Sequence, residues 1–487
     1  MAVFLARFAQ VRSTPARPAL FPLAFVAGAA LVSNVLAGCG GGYGGAEFPP
    51  TAKRWYDRGE NSYRTGDFED AQLSAENALR AAPEREETRL LMGRVSLALL
   101  DYDRSLSVLK GMQSSEARGV RGRALWYKGD LPRAADELGM LLQDPEVKDA
   151  WATEIVKLAR GGTGRKPFDM SGGLLAVMDM PRTGTAAMVI PVELDGEPAL
   201  GMIATGTAES VVDSTSGRQP SWVSLRFAER VEVRDVPVLA KDLSGISKQV
   251  NAPIKILLGV NLLRHVRPTI DFAGGQFVVR TFDPPPPPSA TTVRLSYARG
   301  GGMMVRGALG LGDSPPACSL LVDTTLTYPM ALDLAGWKKA GVSPQMLTAV
   351  PNSTTLRHGV IPSLRLGAYD VPHIPGLEGE GAVKEREQGL GIELDGLVGS
   401  GLLATFRVTL IDGGRAMWLE DLPREALQAP PVITVPDDVD LPLDEEEEAE
   451  EAPDPKKPGA KPKAGAAPAA KPPAAPAKPK SGVNQKP

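Results

Sequence analysis

The sequence predicts an α+β protein of several domains, with a helical N-terminal region, two mainly-β lobes and a low-complexity tail. Three observations predict it. The chain has 487 residues, which is more than one hydrophobic core accommodates. Small and aromatic residues recur at helical spacing up to about residue 161, and from there short apolar strands alternate with Gly and Pro turns. Those strands also follow one pattern that occurs twice.

The N-terminus has the layout of an export signal. Three arginines precede an apolar run over residues 19–36, which ends in Leu36-Ala37-Gly38-Cys39. This ending resembles the lipobox of bacterial lipoproteins. The resemblance implies a signal peptide over residues 1–38, an acylated Cys39 and a chain whose membrane partner is reached through that lipid anchor. The residue after the cysteine is Gly40 rather than the aspartate that signals inner-membrane retention. We therefore expect an exported protein on the periplasmic face of the outer membrane.

A glycine-rich tether over residues 39–50 leads into a repeated helical pattern over residues 51–161. Gly59 and Phe68 recur 34 residues later as Gly93 and Tyr102, and a shorter third copy follows. Small residues let two antiparallel helices approach closely, and aromatic residues fill the groove between them. The pattern resembles tetratricopeptide repeats, which implies a helical solenoid that binds a protein partner. A generic helical bundle is the alternative.

The two β-rich blocks, residues 168–282 and 292–422, repeat one order of elements, and a proline-rich linker over residues 283–291 separates them. In each block an apolar strand runs into a short turn that contains threonine. After a gap come an apolar segment with a glycine and two leucines, and then a hairpin with an aspartate. The two apolar segments are Leu257-Leu258-Gly259-Val260-Asn261-Leu262-Leu263 and Leu397-Val398-Gly399-Ser400-Gly401-Leu402-Leu403. A repeat this consistent predicts two similar lobes.

This order resembles the retropepsin-like aspartic peptidases, and its doubling resembles their two-lobed, pepsin-like arrangement. The resemblance implies that each lobe supplies one aspartate, and that the two carboxylates share a proton so that one is base and the other acid toward a single water. It also implies threonines that lock the two turns together and glycines that let the backbone approach the aspartates. The candidate site residues are those of the two turns: Ala204, Thr205, Gly206, Asp323 and Thr324.

Both turns depart from the Asp-Thr-Gly pattern of that family. Ala204 replaces the first aspartate, and Thr325 replaces the second glycine, where a β-branched residue is expected to fit poorly into a turn with unusual backbone angles. Asp213 lies too far along the next strand to replace the missing carboxylate. One chain therefore offers at most one catalytic aspartate, Asp323.

Losing one member of a catalytic unit usually costs many orders of magnitude in rate, so we expect a non-catalytic module. It would bind an extended peptide or protein in the cleft between the lobes, or serve as structure. Two alternatives remain open. One is an active peptidase in which the Asp323 residues of two chains face each other in a homodimer. The other is an unrelated β-rich binding or structural module.

The remaining sequence gives little sign of other chemistry. The net charge of −4, without clusters of Lys and Arg among aromatic residues, predicts no nucleic-acid partner. The three histidines lack metal-ligand spacing, so we expect no metal and no cofactor. The run Lys384-Glu385-Arg386-Glu387 is interpreted as an exposed loop. Residues 423–487 are acidic and then rich in Pro, Ala and Lys, and they predict a disordered, solvated tail.

Overall fold

The structure, a computed structural model, describes residues 48–350 and 356–421. The predicted signal peptide, Cys39, most of the glycine-rich tether and the C-terminal tail lie outside these residues. No helix among the described residues combines the length and the apolar character that a membrane span requires.

Helices make up the first part of the described chain. The first seven are α1 (Pro50–Arg64), α2 (Phe68–Ala81), α3 (Glu86–Ala98), α4 (Tyr102–Val108), α5 (Ser115–Lys128), α6 (Leu131–Leu141) and α7 (Ala150–Gly161). Each helix packs against the next, so α1–α2, α3–α4 and α5–α6 form three consecutive hairpins. α7 packs on α6 as an unpaired last helix.

One turn recurs in all three hairpins. Its first residue has a positive φ, and its second is an aspartate whose carboxylate accepts a hydrogen bond from the backbone N–H three residues on. The three pairs are Gly66-Asp67, Leu100-Asp101 and Gly129-Asp130. Aspartate satisfies a backbone donor that the start of a helix leaves free, which is why it begins the second helix each time. The helical region is therefore a structural repeat of three units.

Close packing in the hairpins depends on a glycine in each first helix. A Cβ atom on Gly93 would lie 2.6 Å from Leu109 Cδ1, and one on Gly122 would lie 2.4 Å from Leu138 Cδ2. Gly59 is equally confined, because its Cβ would lie 2.8 Å from a side-chain carbon of α3. The glycines that recur in the sequence are thus points of close contact in the helical region.

The remainder of the described chain is mainly β. Its strands up to residue 280 are β1 (Asp169–Gly172), β2 (Leu175–Asp179), β3 (Val189–Leu194), β4 (Glu197–Ala204), β5 (Ser210–Asp213), β6 (Ser221–Phe227), β7 (Val231–Lys241), β8 (Ile254–Gly259), β9 (Thr269–Asp271) and β10 (Gln276–Arg280). The later strands are β11 (Thr291–Ala298), β12 (Gly302–Leu309), β13 (Ala317–Val322), β14 (Met330–Leu332), β15 (Thr348–Ala349), β16 (Arg357–Leu366), β17 (Tyr369–Glu378), β18 (Gly396–Val398), β19 (Phe406–Ile411) and β20 (Ala416–Asp421). Short helices connect them: α8 (Ser244–Gln249), α9 (Val260–Val266), α10 (Leu334–Lys339), α11 (Glu380–Leu390) and α12 (Ser400–Leu403). We call residues 168–282 lobe 1 and the described residues from 291 to 421 lobe 2.

Each lobe is built around the same arrangement of three strands, a central strand with one parallel and one antiparallel neighbour. In lobe 1, β8 lies between β4, to which it is parallel, and β5, to which it is antiparallel. In lobe 2, β18 lies in the same way between β13 and β14. A glycine follows or ends each central strand, and a Cβ atom there would lie 2.3 Å (Gly259) or 1.9 Å (Gly399) from a backbone carbonyl oxygen. The repeated apolar-glycine segments of the sequence run from the ends of these central strands into the helices α9 and α12.

Six strands in the order β2-β10-β9-β19-β20-β11, which form one end of a thirteen-stranded sheet, join the lobes. At the centre of these six strands β9 and β19 pair antiparallel, with Thr269 opposite Thr409. The hydroxyl oxygens of these two threonines lie 2.8 Å apart and form a hydrogen bond. Because the hairpins β9–β10 and β19–β20 are the last hairpins of the two repeats, the centre of these six strands marks a pseudo-two-fold axis.

The segment from residue 384 to 387 differs from its sequence-based prediction. It is part of helix α11 and not a loop. Opposite charges four residues apart stabilise an exposed helix, and Lys384 forms such a pair with Glu380. A run of mixed charges therefore fits an exposed helix as well as an exposed loop, and the sequence alone did not separate the two.

Two glycines of α5 provide a matched test of the hairpin packing. Gly122→Ala should lower the free energy of unfolding by about 1–3 kcal/mol, because the new methyl group collides with buried Leu138. Gly119→Ala, in the same helix, should be neutral or stabilising by up to about 1 kcal/mol, since its nearest neighbour would be 3.6 Å away. Urea denaturation of both variants measures the difference, and equal effects would contradict the packing described.

Candidate functional site

The two threonine-containing turns meet where the lobes join. The N–H of Thr205 donates to Thr324 Oγ1 at 3.0 Å, and the N–H of Thr324 donates to Thr205 Oγ1 at 3.1 Å. Each hydroxyl also donates to a carbonyl oxygen of the other lobe, Thr205 to Val322 at 2.8 Å and Thr324 to Ile203 at 2.6 Å. We call this reciprocal set of four bonds the threonine lock. It is buried and symmetric about the pseudo-two-fold axis.

Ala204 and Asp323 precede the locked threonines, so they occupy equivalent positions in the two lobes. Ala204 is fully buried and belongs to an apolar cluster of lobe 1 that includes Met202 and Leu257. Gly206 lies directly against the remaining carboxylate, because a Cβ atom there would be 2.3 Å from Asp323 Cγ. The structure therefore brings the two predicted turns together, with a methyl group at the equivalent position in lobe 1 and a carboxylate in lobe 2.

Asp323 is buried, and the two oxygens of its carboxylate have separate partners. Oδ1 accepts hydrogen bonds from the N–H (3.1 Å) and the hydroxyl (2.6 Å) of Thr325. Oδ2 accepts one from Arg386 Nη2 at 3.0 Å. Arg386 extends from α11 and keeps 37% of its side chain exposed. The buried carboxylate is thus neutralised by a cation that reaches it from the surface.

Thr325 fits its turn better than the sequence suggested. It is not among the described residues with positive φ, and neither is Gly206. The second turn therefore does not need a glycine, and the hydroxyl of Thr325 adds a hydrogen bond to Asp323 that glycine could not make. The expectation that a β-branched residue is unsuited to this turn was wrong.

Arg386 is the site residue that sequence reasoning missed. It lies 63 positions after Asp323 in a run of mixed charges, where nothing local distinguishes it from a solvated arginine. The one available signal was indirect: a lone aspartate in a buried turn needs a counter-charge from elsewhere in the chain.

Asp213 has a structural environment of its own at the end of β5. It accepts hydrogen bonds from the N–H and hydroxyl of Thr215, and its Oδ2 lies 3.1 Å from Lys255 Nζ. Burial opposes ionisation, but the hydrogen bonds from Thr215 and Lys255 lower the pKa of Asp213 to about 2. It thus contributes to the stability of lobe 1.

The turns of the helical hairpins rest on the lobes. The carbonyl of Thr65 accepts from Ser319 Oγ at 2.6 Å, and Tyr102 Oη lies 2.9 Å from Arg264 Nη1. Buried side chains of α1 to α3 share one apolar cluster with side chains of lobe 2, among them Met304 and Leu321. The helical region and the lobes therefore share a core.

A buried carboxylate links the last hairpin and α7 to lobe 1 close to the first turn. Glu209 Oε1 accepts hydrogen bonds from the indole N–H of Trp126 (3.2 Å) and of Trp151 (3.0 Å), and Oε2 accepts one from Asn261 Nδ2 at 2.5 Å. Burial raises the pKa of Glu209. The neighbouring backbone is crowded as well, since a Cβ atom on Gly301 would lie 2.3 Å from Ala208 Cβ. Helices and lobes thus meet beside the segment that follows the first turn.

Three solved structures are similar to this chain at low sequence identity. The aspartic proteinase from Irpex lacteus has 11% identity and a TM-score of 0.35, over 51% of this chain and 97% of that chain. Basic 7S globulin from soybean has 9% identity and a TM-score of 0.33, over 52% and 95%. The retropepsin-like aspartic protease from Rickettsia conorii has 19% identity and a TM-score of 0.20, over 27% and 90%. No protein-family model and no curated protein matches the sequence.

The described chain is a helical region followed by a β-rich region of two similarly built lobes. The topology supports this description, because each lobe has the same three-strand arrangement, the lobes share central strands, and their two turns meet at the threonine lock. Among the described residues, no cluster of three or more His, Cys, Asp or Glu side chains is suited to hold a metal ion.

Removing one hydroxyl from the lock should destabilise the protein. Thr324→Val keeps the shape of the side chain but leaves the N–H of Thr205 and the carbonyl of Ile203 without partners. We expect a loss of about 2–4 kcal/mol of unfolding free energy, because both groups are buried. Thr207→Val is the control, since it loses a single local bond. Urea denaturation measures both, and equal losses would show that the lock contributes no more than a local turn.

The environment of Asp213 predicts a specific pH dependence. Its pKa is about 2 in the folded chain against an ordinary value of 3.8, so the stabilisation is present above pH 3.8 and is lost as the pH falls from there toward 2. Asp213→Asn should therefore be less stable than the wild type near pH 6, and the gap should narrow below pH 4. Denaturant unfolding at several pH values tests this, and a gap that stays constant would contradict it.

Proposed function

We propose that this chain is a lipid-anchored cell-envelope protein with a non-catalytic aspartic-peptidase-like module that binds a peptide or protein. One observation carries the non-catalytic part: Asp323 is paired with Arg386, and the equivalent position in the other lobe is Ala204.

The chemistry of the pair supports this reading. Aspartic peptidase catalysis needs two carboxylates that share a proton, so that one activates water while the other protonates the substrate. Here the second carboxylate is missing, and one oxygen of Asp323 is bound to a guanidinium. A guanidinium does not release its proton in proteins, so Arg386 is no substitute for the second acid.

The geometry also weighs against the homodimeric alternative. An Asp323 from a second chain would have to lie where lobe 1 of the same chain now stands, because Gly206 already contacts the carboxylate of Asp323. Admitting it would mean opening the buried threonine lock, which leaves polar groups without partners. We therefore favour the non-catalytic function over the dimeric peptidase.

The helical hairpins and the N-terminus complete the proposal. Three recurring hairpins, with the glycine spacing of tetratricopeptide-like repeats, favour a partner-binding role. The Leu36-Ala37-Gly38-Cys39 sequence supports acylation of Cys39 and attachment to a membrane, with the periplasmic face of the outer membrane favoured.

A cleavage assay tests the non-catalytic assignment. The purified protein should not cleave an unfolded protein substrate between pH 3 and 7, and the Asp323→Asn variant should give the same result. The combined variant Ala204→Asp and Arg386→Ala supplies a second carboxylate and removes the cation, so it should gain cleavage that is lost again on adding Asp323→Asn. Asp323-dependent cleavage by the wild type would overturn the proposal.

A further inference from the structure

We propose that the turn around Asp323 is a binding site for a guanidinium group, occupied in this chain by Arg386. The peptide ligand of the lobes would then be one whose arginine replaces Arg386 at Asp323. This inference rests on the proposed function, in which the module binds a peptide without cleaving it.

The turn is arranged to receive one cation. Thr325 holds Oδ1 of Asp323 through its N–H and its hydroxyl, so the carboxylate has a fixed orientation. Oδ2 remains for the guanidinium. Ala204 contributes no second charge from lobe 1. The site thus presents a single, oriented and buried negative charge.

Electrostatics selects the kind of ligand. Asp323 is 3% exposed as a side chain, so removing Arg386 without replacing its charge would leave a buried carboxylate unpaired, at a high cost in free energy. A ligand that displaces Arg386 must therefore bring a cation of its own. A guanidinium is less strongly hydrated than the ammonium group of lysine and matches carboxylates better, so arginine is the residue expected.

The resident cation is held by a weakly anchored helix. Val383 is the one buried residue of α11, Ala382 and Leu390 pack half-buried beside it, and Gly379, which precedes the helix, provides no side-chain cap. Glycines at positions 381 and 389 lower the helix propensity further. Elements with few buried apolar contacts open at low free energy, so α11 is suited to moving aside.

The carboxylate of Asp323 is approached from the side on which α11 lies. Arg386 is 37% exposed, whereas Asp323 is buried, so the guanidinium enters the site from solvent. An arginine from another peptide would take the same path once α11 has moved. In the intact chain Arg386 competes with it at a high effective concentration, so wild-type binding should be weak.

Removing the resident arginine should therefore create a measurable site. The experiment uses the full chain with Arg386→Ala, and the probe is N-acetylarginine amide. Its neutral isostere N-acetylcitrulline amide and N-acetyllysine amide serve as comparisons. Calorimetric titration should show arginine amide binding at least tenfold tighter to the variant than to the wild type, with a matching rise in melting temperature. Citrulline amide should have no effect, and lysine amide a smaller one than arginine amide.

Two further variants test whether the response to arginine amide depends on Asp323. Arg386→Ala combined with Asp323→Asn should lose the response to arginine amide. Arg365→Ala removes another partly exposed arginine, which pairs with Asp370 on the surface, and should gain no response. If Arg386→Ala does not fold, Arg386→Met keeps the length of the side chain and is titrated instead. An equal response to citrulline amide, or a response that survives Asp323→Asn, would overturn the proposal.

A peptide arm separates this proposal from the proposed function. An alanine-rich peptide with one central arginine, and its citrulline counterpart, are incubated with Arg386→Ala and analysed by mass spectrometry. Selective binding of the intact arginine peptide supports the site. An intact peptide that does not bind overturns the guanidinium site alone. Cleavage of the peptide, if it is lost with Asp323→Asn, overturns the non-catalytic assignment.

Discussion

The threonine lock sets the relation between the lobes on which the site depends. Thr205 and Thr324 each use both an N–H and a hydroxyl across the junction, so no buried polar group of the lock lacks a partner. Sliding one lobe against the other would leave several of these groups unsatisfied at once, which is costly in a buried site. The six strands that join the lobes, with Thr269 bonded to Thr409, add a second symmetric contact. Together they keep Ala204 and Asp323 in equivalent positions.

This fixed geometry leaves Asp323 as a lone buried carboxylate, which needs a counter-charge. Two neighbouring carboxylates can share a proton and carry one charge between them, whereas a lone buried carboxylate needs a cation or must stay neutral. Arg386 provides that cation from α11. The identity of residue 204 and the position of α11 are therefore linked. A carboxylate at residue 204 would change the negative charge that Arg386 of α11 balances.

The parts of the fold that could be predicted from the sequence are those with a local pattern. The apolar-glycine segments and the threonine turns recur within short windows, and the glycines of the helical hairpins recur at fixed spacing. Arg386 and Glu209 could not be predicted in this way, because their partners lie 63 and up to 83 positions away and follow no period. The sequence of the charged run that contains Arg386 is equally compatible with an exposed helix and an exposed loop. Only the tertiary contacts decide between them.

The contacts of the helical region bear on how a ligand would reach Asp323. Trp126 and Trp151 bind Glu209 close behind the first turn, and Gly301 of lobe 2 closes against Ala208 in the same place. The junction is therefore filled with packed side chains on the lobe 1 side. On the lobe 2 side the cover is α11, which buries one residue and leaves Arg386 partly exposed. Because α11 has one buried residue whereas each of the helices α1 and α2 has several, a ligand would enter past α11.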